Sequence, residues 1–156
     1  MRRAGFTAAA TTALTLAAAG QGWATASSGD VTASWGDRTR IQVTWTDRNS
    51  LHNGTLAVAD QTCDDTSVYA TLTVRTGSGA TLSLGDRHNT RGCGTTADFR
   101  DIRAIDANGI RSLTLTLCRR AAGAADHCET RYFSTNPHFG SDTRQQVSGI
   151  RGSLRP

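Results

Sequence analysis

Residues 67–75 alternate without a break: Val68, Ala70, Leu72 and Val74 fall at even positions, and Tyr69, Thr71, Thr73 and Arg75 at odd ones. A period of two puts the first set on one face of a β-strand and the second set on the other. One face is therefore built for a core and the other for water. The same phase recurs at 40–45 (Ile41, Val43, Trp45), at 54–60 (Leu56, Val58) and at 113–117 (Leu113, Leu115, Leu117). Gly77-Ser78-Gly79 marks a hairpin into a strand at 80–84, and Asn108-Gly109 supplies a second hairpin signal. A last strand is expected at 129–134, ahead of Asn136-Pro137. Between 99 and 105 the spacing of Phe99, Ile102 and Ile105 is three, which suits a helical turn or a bulged strand better than a regular one. About seven half-buried strands separated by Gly/Asn turns predict an all-β, antiparallel β-sandwich, with a small barrel as the competing closure.

Composition agrees with that class. The 156 residues include 17 basic side chains, all of them Arg, while Glu129 is the only Glu and Met1 the only Met. Chains built from long helices lean on Lys, Glu and Met. The arginines are scattered among aspartates, and a nucleic-acid surface would cluster them, so no nucleic-acid partner is expected.

The N-terminus carries an address. Met1-Arg2-Arg3 is a basic start, residues 4–19 are apolar but Ala/Thr-rich, and Ala24-Thr25-Ala26 has the small residues a signal peptidase requires. The apolar run is too short and too weak to span a bilayer. The expected organisation is a signal peptide at 1–26, a mobile N-terminal arm at 27–38, a β-sandwich domain at 39–137 and a flexible C-terminal tail at 138–156. The mature chain is expected to be secreted and extracellular, with no membrane association after cleavage.

In an oxidising compartment the four cysteines pair. Cys63 precedes the 67–75 strand and Cys93 follows its hairpin partner, so both sit at the open end of one hairpin. Cys118 closes the 113–117 strand and Cys128 opens the next. The expected bridges are Cys63–Cys93 and Cys118–Cys128, contributing about 3.7 and about 2.8 kcal/mol in the chain-entropy model. A Cys₄ metal site would need C-x₂-C pairs, which are absent.

Chemistry is sparse. No nucleophile elbow or H-E-x-x-H motif occurs, and His52, His88, His127 and His138 all fall in expected loops. Asp86-Arg87-His88-Asn89 is the most polar local cluster, read as an ordinary loop before Cys93. Asp64-Asp65 with Asp60 nearby offers oxygen ligands for Ca²⁺ but lacks calcium-loop spacing. No catalytic residue, metal or cofactor is therefore expected. Asn53-Gly54-Thr55 matches a glycosylation triplet and is read as a turn between strands. Trp45 is in phase with the core. Trp35 has no periodic partners and is either an anchor for a partner groove or folded back on the sandwich edge.

The Trp-containing first strand, Ser67-Val68-Tyr69-Ala70, Gly92-Cys93-Gly94, Leu117-Cys118 and Asn136-Pro137 resemble the short secreted four-cysteine β proteins of actinomycetes. Some of these are similar in size and build to the small adaptor subunit of umbrella-shaped toxin particles. That resemblance implies a non-enzymatic adaptor whose partners are other secreted proteins, bridging a large repeat-containing subunit to a lectin-like one. The alternative expectation is a secreted hydrolase inhibitor, with a loop at 85–91 presenting Arg87 or Arg91 to a trypsin-like pocket.

Overall fold

The computed structural model of the chain describes residues 23–120, 123 and 125–140. Positions 1–22 of the expected signal peptide and positions 141–156 of the expected tail lie outside the described residues. All regular structure among the described residues is strand: β1 (Thr25–Thr32), β2 (Arg38–Trp45), β3 (Ser50–Asp60), β4 (Ser67–Thr76), β5 (Thr81–His88), β6 (Thr95–Ile105), β7 (Ile110–Arg120) and β8 (His127–Thr135). They form two open four-stranded antiparallel sheets, ordered β1-β2-β3-β6 and β5-β4-β7-β8. The β-sandwich is confirmed, and no barrel closes.

The alternation does what it predicts. Ile41, Val43 and Trp45 of one sheet, and Val68, Ala70, Leu72, Val74, Leu113, Leu115 and Leu117 of the other, are all essentially inaccessible and form one core cluster. The odd set on β4 faces outward, with Tyr69 buried even so, under a cover described below.

Four sequence expectations change. Residues 27–32, expected as a mobile arm, belong to β1, which pairs with β2 from Thr25↔Trp45 to Thr32↔Arg38. The strand is unreadable by hydropathy because its inward positions are Ser27, Gly29 and Val31. Gly29 leaves room for the Tyr132 ring, packed from β8 of the other sheet at a distance no side chain at position 29 would permit. Ser27 accepts a hydrogen bond from Trp45 Nε1 (3.1 Å) and another from Ser134 Oγ (3.0 Å). The expected cleavage point after Ala26 thus falls inside β1, just before the first side chain tied to the core.

Second, Asn108-Gly109 is a turn but not a hairpin. Gly109 N donates to Asp106 O (2.9 Å) and has φ 89°, yet β6 pairs with β3 and β7 with β4, so the turn carries the chain between sheets. Third, Asn53-Gly54 lies within β3 as a bulge, with Asn53 at φ 51°. It faces a matching bulge at Asp101 in β6, φ 60°. The spacing of three is thereby explained: Ala97 and Phe99 share the inner face before the bulge, and Ile102 and Ala104 after it, which leaves Ile105 outward and 69% exposed. Fourth, the start of the expected tail is fastened: Phe139 lies under the guanidinium groups of Arg48 (5.0 Å) and Arg111 (4.6 Å).

One end of the sandwich collects the β2–β3, β4–β5 and β6–β7 turns. Asn136, buried, stitches it together: Nδ2 donates to Asp47 O (3.0 Å), Arg48 O (3.3 Å) and Ile110 O (3.0 Å), while Oδ1 accepts from His138 N (2.9 Å). Replacing it would take the side-chain donor from Asp47 O in the β2–β3 turn and from the buried Ile110 O at the start of β7. Asn136→Ala is expected to lower unfolding free energy by about 3 kcal/mol. Asn49→Ala, at an exposed site in the β2–β3 turn, should cost less than about 0.5 kcal/mol. Urea unfolding of the two variants checks the contrast.

Candidate functional site

The opposite end collects the β1–β2, β3–β4, β5–β6 and β7–β8 connections. Both bridges lie here, Cys63–Cys93 and Cys118–Cys128, as the hairpin argument requires. Cys118 and Cys128 are direct cross-strand partners in β7 and β8. Asn89 plays the part that Asn136 plays at the far end. Its buried Nδ2 donates to Val58 O (3.1 Å) and Thr95 O (2.9 Å), and its Oδ1 accepts from Arg91 N (3.0 Å).

Trp35 is not on an arm. Its ring is half-buried against the core, 4.8 Å from the His127 ring, with the Arg119 guanidinium 5.3 Å above it. Trp35 Nε1 donates to Asp37 Oδ2 (2.9 Å). Asp37 Oδ1 accepts from the backbone N–H groups of Gln61 (2.8 Å) and Thr62 (3.0 Å), so one buried carboxylate ties the β1–β2 loop to the β3–β4 loop. Arg119 also reaches Asp64 Oδ2 (3.2 Å). The Thr66 hydroxyl, backed by the Thr66 N–H and Arg119, holds the Asp64 carboxyl below the usual carboxylate range.

The other two candidates separate from Trp35. Gly85, Asp86, Arg87 and His88 lie in β5, not in a loop. Arg87 sits opposite Ala70 in the β4–β5 ladder and is partly buried, with Nη1 donating to Asp86 O (3.1 Å). Arg91 is on the β5–β6 connection, exposed, with Nη1 donating to Thr96 O (3.1 Å). The histidines are likewise not all in loops: His52 is in β3, His88 in β5 and His127 opens β8.

The polar stretch singled out at Asp86 and His88 joins a cluster on the outer face whose other members, Tyr69, Thr71 and Asp126, carry no signal in the sequence. Tyr69 stacks on His88 (4.6 Å between rings) and donates its hydroxyl to Asp126 (2.7 Å), while the Thr71 hydroxyl donates to Asp86 (2.7 Å). Position 126 is 57 residues from Tyr69, and only the β4–β7–β8 pairing brings them together. The hydrogen bond to Asp126, helped by burial, pushes the Tyr69 phenol up to about 12, so it stays protonated at any physiological pH. A nucleophilic or general-base tyrosine needs the opposite shift. Among the described residues, no group of three or more His, Cys, Asp or Glu side chains is gathered to hold a metal ion. Two concavities here are open: a trough of about 300 Å³ over Ala57 and Ala59, and one of about 320 Å³ beside Cys63–Cys93.

No protein-family model, no curated protein and no solved structure matches the chain.

Because folded Tyr69 holds its proton to about 12 whereas an unfolded tyrosine releases it near 10, the unfolded state gains from the alkaline rise first. Tyr69's contribution is present below pH 10 and lost as pH climbs toward 12. Stability measured by urea unfolding is expected to fall across that window, and Tyr69→Phe should flatten the fall. An unchanged slope in the variant would place the effect elsewhere.

Proposed function

We propose that the chain is a secreted, non-enzymatic interaction module, an adaptor subunit of an extracellular protein assembly such as an antibacterial toxin particle. The observation that carries this reading is the setting of Trp35. Its indole is fixed by Asp37 and flanked by Arg119 and His127 at the rim of the stapled end. Trp and Arg supply most of the energy at protein interfaces, and they do so best when their rotamers are fixed before binding. Two disulfides and the absence, among the described residues, of a helix able to cross a membrane are compatible with an extracellular setting.

A second reading, hydrolase inhibition, draws on Arg91. It is exposed on a short connection braced from beneath by Asn89 and closed two residues later by Cys93, the rigidity an inhibitory loop requires. Arg87 no longer serves that reading.

Capture on the immobilised mature chain from the culture medium of its own source is expected to retain other secreted proteins as a defined complex. Trp35→Ala should weaken that complex by about 2 kcal/mol, roughly thirtyfold in Kd. Inhibition of trypsin at micromolar protein, abolished by Arg91→Ala but not by Trp35→Ala, would select the second reading instead.

A further inference from the structure

The opposed bulges of β3 and β6 gather four polar side chains around one pocket. Between the rungs Leu51↔Ala104 and Gly54↔Ile102, β3 has two residues, His52 and Asn53, where β6 has Arg103 alone. Between Gly54↔Ile102 and Leu56↔Phe99 the mismatch reverses, with Arg100 and Asp101 facing Thr55. His52, Asn53, Asp101 and Arg103 together line a pocket of about 300 Å³. Of the three non-glycine residues at positive φ among the described residues, two are in this lining, Asn53 at 51° and Asp101 at 60°. A side chain held in the left-handed region costs stability, and such strain collects where a bulge re-aims side chains toward a ligand.

Among the described residues, none of these four side chains forms a hydrogen bond or an ion pair. Asp101 and Arg103 are exposed, opposite in charge and two positions apart on one strand, yet they do not pair. A lone anion in the pocket is drawn to Arg103 and repelled by Asp101, and a lone cation meets the reverse. A small ligand that carries both charges suits both residues. The arginine fork matches a carboxylate with two parallel hydrogen bonds, and the aspartate accepts from an ammonium. The lining holds no aromatic ring on which a sugar could stack, and no metal-binding group is gathered there.

We propose that the paired bulges form a binding site for a free α-amino acid, its ammonium on Asp101 and its carboxylate on Arg103, with Asn53 and His52 supplying further hydrogen bonds. Ile105, the next outward position on β6 after Arg103, is 69% exposed and offers an apolar surface to the ligand's side chain. Leucine is therefore preferred to glycine. Both ion pairs stay open to solvent, so binding is weak, with Kd on the order of 10⁻³ M. The site lies on the β3–β6 ladder and shares no residue with the Trp35 rim, so it stands or falls independently of the adaptor reading.

The test is an amide NMR titration of the disulfide-bonded chain with leucine, glycine, N-acetylleucine, leucine methyl ester and glucose. Leucine should shift the amides of residues 52–54 and 101–103 to saturation. N-acetylleucine, which lacks the ammonium, and the methyl ester, which lacks the carboxylate, should each bind roughly tenfold more weakly or worse. Asp101→Asn and Arg103→Gln, both at exposed sites, should fold as wild type and lose the response. Asp101→Gly should lose it too while unfolding at a higher temperature, since glycine takes a positive φ without strain. Arg100→Gln, exposed on β6 outside the pocket, should keep the response in full. Amides indifferent to leucine at tens of millimolar overturn the proposal. Blocked derivatives that bind as well as leucine, or glucose that binds better, overturn it by removing the need for both charges. A leucine response that survives both Asp101→Asn and Arg103→Gln has the same consequence.

Discussion

The fit of two sheets across one shared apolar layer is the constraint on which the remaining features depend. Ile41, Val43, Trp45, Leu56 and Val58 meet Leu72, Val74, Leu113, Leu115 and Leu117, and all are sealed from solvent. Among the described residues nothing else stores comparable hydrophobic free energy, since the outer faces are Thr-, Arg- and Asp-rich. The chain passes between the sheets at β3–β4, β5–β6 and β6–β7, and each crossing exposes backbone that neither sheet can pair. Asn89 and Asn136 answer that need with side-chain amides that copy a missing strand's donors. The two disulfides then fix the end where crossings are most numerous. Each bridge joins neighbours already placed by strand pairing, which is why the cysteines could be matched without coordinates.

What was legible followed local periodicity. The inward sets of β2, β4 and β7 are strict alternations, and no competing period fits them. What was missed followed information that sequence neighbours do not carry. Asn108-Gly109 encodes a reversal of direction, but not whether the next strand joins the same sheet. Asn53-Gly54 encodes a positive φ that serves a bulge as well as a turn. β1 escaped because its apolar content is supplied from outside: Tyr132 of β8 lies where a side chain at Gly29 would otherwise point. A strand that borrows its hydrophobic face from the opposite sheet looks, in one dimension, like a polar arm.

The candidate site was legible only in its parts. Trp35 stood out for want of periodic partners, and the partners it has are at Asp37, Arg119 and His127, two of them far away in sequence. Arg87 looked like a loop residue because Asp-Arg-His-Asn is turn-like in composition. The ladder of β5 on β4 overrides that local preference and turns Arg87 toward the inner side. The Tyr69–His88–Asp126 cluster carries no local signal, since it exists through the register of three strands.

Asp37 and Asp60 show how one environment separates two identical side chains. Both are buried at the same end and within reach of the Thr62 N–H, yet Asp37 captures that donor along with Gln61 N and Trp35 Nε1. A carboxylate held by three N–H groups can remain charged in the interior. Its neighbour then faces an added negative charge with fewer donors left to share. The order that makes the Trp35 rim rigid is thus the same order that leaves Asp60 in electrostatic deficit. Relieving that deficit by substituting Asp37 would release the indole and loosen the β3–β4 loop together.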